Sequence, residues 1–141
     1  MSECNSGCEE CKSKESCGIR KAPLNKESSI HKIIGIISGK GGVGKSTTAI
    51  NLSACLAEQG KKVLTIDMDP QGNTTSGLGV DKNEVEDTLY ELLVGQSDVE
   101  KTIVKDVVEN VDLIPSNVNL SGAEIELVGI DNKEYILKEI T

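Results

Sequence analysis

A parallel α/β sheet flanked by helices is the fold this sequence predicts, and three observations predict it. Short, almost wholly aliphatic runs alternate with stretches of helical period, the pattern of strand–helix–strand units. Aromatic residues are 1% of the 141-residue chain against 37% hydrophobic residues, so the core must be built from Ile, Leu, Val and Ala. Such residues suit strands buried on both faces. A glycine-rich loop lies between the first apolar run and the first helical stretch. The length suits one modest domain.

Residues 1–31 read as a separate Cys-rich head and linker, and residues 32–141 as the folded part. The head is polar, contains Pro23 and has no strand or helix period; it cannot bury enough apolar surface to fold unless a metal organises it. Lys32-Ile33-Ile34-Gly35-Ile36-Ile37-Ser38 reads as a buried strand. A helix follows over about 45–59, with Ala49, Leu52 and Leu56 as its apolar stripe, Cys55 in the core and Gly60 as its stop. Residues 62–67 predict a second strand ending in the carboxylate of Asp67. Residues 68–80 hold three glycines and several polar residues, which predicts a functional loop. Helical signals come next: 88–94 after Asp87 as N-cap, then Ser97 with Glu100 and Ser121 with Glu124 as capping boxes. Residues 111–115 predict a third strand between them, and 133–140 a last helix.

The net charge of −8 gives no overall attraction for nucleic acid or an anionic membrane. No apolar run approaches the ~20 residues of a membrane span, and the polar start is not a signal peptide. Cytoplasm is the expected location. Four of the five cysteines fall within the first 17 residues. An odd count without an export signal argues against a disulfide framework. The spacing Cys4-x3-Cys8-x2-Cys11-x5-Cys17 suits Zn²⁺ or an iron–sulfur cluster such as 4Fe-4S. A reduced, unstructured tail is the other reading, and spacing alone does not choose.

The chemistry sits in Gly39-Lys40-Gly41-Gly42-Val43-Gly44-Lys45-Ser46-Thr47, where Gly39, Gly44, Lys45 and Ser46 meet the pattern G-x-x-x-x-G-K-[ST] between a predicted strand and a predicted helix. Glycines let backbone N–H groups curl round an anion, and the helix N-terminus adds its positive end. Lys45 supplies charge to the β- and γ-phosphates of ATP, Ser46 a hydroxyl for Mg²⁺, and Thr47 a donor near the α-phosphate. Lys40 adds a second cation to the same loop. This two-lysine loop resembles the deviant Walker A ATPases. The resemblance implies that Lys40 reaches the partner's ATP in a homodimer formed on ATP.

Asp67-Met68-Asp69-Pro70-Gln71-Gly72-Asn73 stands at the C-terminal end of the second predicted strand, where open α/β sheets place their ligands. Phosphoryl transfer to water needs one group to orient the nucleophile and another to support the metal shell; carboxylates at i and i+2 suit both tasks.

The segment from Asp69 through Gly79, Thr48–Ala57 in the first helix, and Leu113-Ile114-Pro115-Ser116 continuing into Leu120–Leu127 resemble the ParA/Soj family of chromosome- and plasmid-partitioning ATPases. The resemblance covers roughly residues 45–141. It implies that Asp69 positions the attacking water, that Asp67 supports the Mg²⁺ shell, and that Lys40 and Asp69 are the catalytic residues. It also implies non-specific DNA and a ParB-like protein as partners. The head, with Cys8, Cys11 and Cys17 in a C-x2-C-x5-C element, and Ser38-Gly39 before Lys40 instead resemble Mrp-type iron–sulfur cluster carriers. An iron–sulfur carrier is therefore the alternative function, and an inactive fragment a third. Set against the ParA/Soj pattern, the chain is expected to stop before the Walker B strand. That would leave the first and second strands without a shared neighbour and the chain with impaired stability and little hydrolysis.

Overall fold

The computed structural model describes residues 30–126. In chain order it has α1 (Lys45–Glu58), β1 (Val63–Ile66), α2 (Asn73–Gly77), α3 (Leu89–Leu93), α4 (Val99–Thr102), β2 (Val104–Val108), β3 (Val111–Ile114) and α5 (Leu120–Glu126). The β-branched and leucine residues of β1 and β3 pair in parallel, Val63 opposite Val111 and Ile66 opposite Ile114. β2 returns antiparallel on the other side of β3, giving the order β1-β3-β2. The sheet is therefore mixed rather than all parallel.

The period of two along a strand sorts the layers. Thr65 faces α1, where its hydroxyl meets the Ser53 hydroxyl at 2.9 Å in the interior. Its neighbour Ile66 faces the other way, against the cluster of Leu89, Leu92, Ile114, Leu120 and Ala123 supplied by α3, β3 and α5. Helices thus flank the sheet on both faces. Leu89, Val111, Leu113 and Ile114 are fully buried, each contributing about 1.5–3 kcal/mol of transfer free energy. Tyr90 of α3 donates its hydroxyl to the Glu126 carboxylate at 2.8 Å, tying α3 to the end of α5. No helix of the described residues is long and apolar enough to cross a membrane.

Several expectations are corrected. Residues 32–38 form no strand, and Ile33 and Ile37 are 84% and 92% exposed. A strand exists through its ladder, and among the described residues no strand pairs with this run. Within α1 the buried positions are Ser53 and Ala57, while Ala49, Leu52 and Leu56 are half-buried. Cys55, expected in the core, is exposed: the face it occupies has no covering element among the described residues. The loop 68–80 contains the short helix α2. Thr88, not Asp87, caps α3, because only its hydroxyl completes the capping box with Glu91. Asp98 rather than Ser97 precedes α4, without a side-chain cap bond, and Ser121 lies inside α5.

β2 was not expected, because Asp106 breaks its alternation. Asp106 adopts φ 51° in an irregularity of the β2–β3 register, and its N–H donates to Asp112 Oδ1 at 2.9 Å. The helix expected over 133–140, the linker and the four head cysteines lie outside the described residues.

Candidate nucleotide-binding site

The glycine-rich loop emerges as an exposed turn over residues 39–44 that runs directly into α1. Gly44 is the N-cap, at φ 84°, a left-handed conformation that a side chain would strain. No side chain caps the helix and its first turn holds no acidic residue. Helix termini ordinarily recruit Ser, Thr, Asp or Asn to satisfy their N–H groups. This 14-residue helix instead presents uncapped amides and its positive dipole end. Lys45 Nζ folds back on the loop, donating to the Lys40 main-chain carbonyl oxygen at 3.4 Å. Ser38 steadies the entry, its Oγ accepting from the Lys40 N–H at 3.2 Å. Ser46 and Thr47 stand on the first turn, and their hydroxyls make no hydrogen bond among the described residues. Cationic side chains, free hydroxyls and uncapped amides fit a phosphate with its magnesium.

The carboxylate cluster lies where β1 ends. Asp67 is 3% exposed. Its Oδ2 accepts from both the N–H and the hydroxyl of Thr75, each at 2.8 Å, and its Oδ1 accepts from the Asp69 N–H at 3.2 Å. Both oxygens of Asp67 are thus tied to the loop that follows β1. Asp69 is half-buried; its Oδ1 accepts from the Gln71 N–H at 3.0 Å, and its Oδ2 makes no hydrogen bond among the described residues. Ser116, just past β3, donates its hydroxyl to the Asp69 carbonyl oxygen at 2.9 Å, and the Ser116 N–H donates to Thr75 Oγ1 at 3.0 Å.

Packing brings loop helix and carboxylate loop to the same neighbourhood. α1 rests on α2 so closely that a Cβ on Gly77 would lie 2.3 Å from Ile50 Cδ1, and Ile50 stands about 7.5 Å along the helix from Lys45. Among the described residues, no hydrogen bond or ion pair joins the loop to Asp67 or Asp69. Thr75 was missed as a site residue, although its offset of eight from Asp67 in a polar loop was visible. Ser116 gave no signal of its own. No group of three or more His, Cys, Asp or Glu gathers as a metal site among the described residues. A surface hollow of about 590 Å³ at Leu92, Ser97 and Val99 lies at α3–α4 and includes none of these groups.

The chain is similar to known proteins. The chain is 55% identical over 107 residues to the sporulation initiation inhibitor protein Soj of Bacillus subtilis, covering 76% of this chain and 42% of that protein. It is 44% identical over 108 residues to the chromosome partitioning protein ParA of Caulobacter vibrioides, covering 77% and 40%. Among solved structures, cobyrinic acid a,c-diamide synthase from Mycobacterium smegmatis, with bound ATP analog and magnesium, superposes with a TM-score of 0.70 at 39% identity, covering 74% of this chain and 42% of that one. The chain thus spans about two-fifths of the length of these relatives. The family model described as an AAA domain matches residues 31–141, and the chain belongs to this family.

Proposed function

We propose that this chain is the nucleotide-binding portion of a ParA/Soj-type partitioning ATPase that binds Mg-ATP at residues 39–47. The observation that carries the reading is the uncapped α1 N-terminus with the Lys45 ammonium folded back onto the glycine-rich loop. Lys45 and the first-turn amides hold the β- and γ-phosphates, and Gly39, Gly41, Gly42, Val43 and Gly44 form the cradle. Ser46 offers the hydroxyl for magnesium, and Thr47 donates near the α-phosphate. Magnesium, when bound, neutralises charge on the β- and γ-phosphate oxygens. Asp67 supports that shell from the end of β1.

Hydrolysis asks for a water in line with the γ-phosphorus, which gains a bond to the water oxygen as its bond to the ADP oxygen breaks. Asp69, with one carboxylate oxygen uncommitted, is the group to orient that water. Lys40 acts in a second copy's site, so that the complete protein dimerises on ATP. Non-specific DNA and a ParB-like protein are its partners in the cytoplasm, by analogy with the partitioning relatives. The head, residues 1–31, is a separate segment that binds metal through Cys4, Cys8, Cys11 and Cys17. Anaerobic reconstitution of the whole chain should give a brown species lost in a Cys8→Ser, Cys11→Ser variant; a colourless reconstituted chain ends the iron–sulfur assignment.

The nucleotide site is tested by Lys45→Ala in the complete ATPase. Calorimetry should show Mg-ATP binding abolished, because the lysine and amides supply most of the charge complementarity. Unchanged affinity would refute the assignment.

A further inference from the structure

The hydrogen bonds around Asp67 close on themselves. Asp67 Oδ2 accepts from Thr75, Thr75 Oγ1 accepts from the Ser116 N–H, Ser116 Oγ donates to the Asp69 carbonyl oxygen, and the Asp69 N–H returns to Asp67 Oδ1. We propose that Thr75 and Ser116 are positioning residues, which fix the Asp69 carboxylate through this four-residue ring. The inference rests on the reading of Asp69 as the group that orients water.

The ring spans three places in the chain: the end of β1, the helix α2 and the segment after β3. Locally Asp69 is held by its N–H on Asp67 Oδ1, by the Gly72 N–H on its carbonyl oxygen and by its carboxylate on the Gln71 N–H. Ser116 supplies the long-range tie, 47 residues away in sequence. Thr75 and Ser116 are both fully buried, and the Thr75 hydroxyl donates to Asp67 while accepting from Ser116. Every buried side-chain polar atom among the described residues has a partner, so the ring is fully satisfied, the condition under which a buried network specifies one geometry. Gly72 tightens the same clasp: an added Cβ would stand 2.6 Å from the Ser116 carbonyl oxygen. Asp67 thus works as the hub of the ring, and Asp69 is left with one free oxygen at its rim.

The test uses three substitutions. Thr75→Val keeps the shape and loses the hydroxyl, Thr75→Ser restores it, and Ser116→Ala cuts only the tie to Asp69. In the 141-residue chain, amide exchange at Asp69 should rise about tenfold in Thr75→Val and Ser116→Ala, as expected of one lost buried hydrogen bond. Thr75→Ser should match the parent. In the complete ATPase, single-turnover hydrolysis should fall about tenfold in the first two variants while ATP affinity holds, with Thr75→Ser restoring the rate. Parental exchange and turnover in both Thr75→Val and Ser116→Ala would overturn the proposal. So would a loss of turnover that Thr75→Ser fails to restore. If Thr75→Val does not fold, Ser116→Ala carries the decision. Failure of the underlying reading looks different: Asp69→Ala would then hydrolyse ATP at the parental rate while the exchange result stood.

Discussion

At Gly72 the backbone φ is 60° and the neighbouring Ser116 carbonyl leaves no room for a Cβ. Gly72→Ala should therefore lower stability by at least about 1–2 kcal/mol, the cost of the left-handed backbone alone. Thermal unfolding of the chain measures this, and an unchanged Tm would show that the loop relaxes freely. The two charged residues of the proposed mechanism separate binding from turnover. Asp69→Ala removes a group that acts in the transition state, so it should bind Mg-ATP yet hydrolyse it at least about a hundredfold more slowly. The complete ATPase should then accumulate as an ATP-bound dimer. Lys40→Ala should bind ATP and stay monomeric. Turnover assays and light scattering on both variants decide the matter: a Lys40→Ala protein that dimerises on ATP returns Lys40 to a solvated loop residue.

Among the elements, α3 shows how a helix start is chosen. Thr88 and Glu91 satisfy donors of the first turn: the Thr88 hydroxyl accepts from the Tyr90 N–H and the Glu91 carboxylate accepts from the Thr88 N–H at 2.8 Å. Thr88→Ala should cost about 0.5–2 kcal/mol, read from chemical denaturation, whereas Asp87→Ala should be near neutral. The position of this helix was legible from the cap signal at its start, but the cap was misread by one residue because Asp and Thr are both good caps. Geometry alone chooses between them. β2 escaped notice for a related reason: its register irregularity at Asp106 hides the period of two.

For the molecule as a whole, strands β1 and β3, helix α1 and the phosphate loop were readable, because each rests on local pattern or motif chemistry. What could not be read was whatever depends on partners distant in sequence. The 32–38 run has the composition of a buried strand and stands exposed, since composition cannot state whether a ladder partner is at hand. The Thr75–Ser116 tie, 41 residues apart, is invisible to any spacing rule. Exposed Ile33, Ile34, Ile37 and Val43 lie within a few residues of one another, and apolar patches of this kind drive association. The 141-residue chain should therefore bind a hydrophobic dye and associate with rising concentration. An Ile33→Ser, Ile37→Ser variant should do both less; equal dye binding by the two chains would place the sticky surface elsewhere.

The contact between Tyr90 and Glu126 makes the chain its own optical probe. With no tryptophan and two tyrosines in the sequence, near-ultraviolet light sees little besides these phenols. The hydrogen bond to Glu126 leads the causes that raise the Tyr90 pKa above 10.0, with burial and the charges of Glu126 and Glu91 behind it. A raised pKa means the neutral phenol is favoured in the folded state, so its contribution is complete below the ordinary value and is lost as pH climbs through the raised one. In an alkaline titration the phenolate absorbance unique to the parent, after subtraction of a Tyr90→Phe chain, should appear late. Its onset should coincide with faster amide exchange in α5, as the new negative charge pushes Glu126 away. The colour change would then report, in real time and without any label, the moment at which the C-terminal described helix lets go of α3.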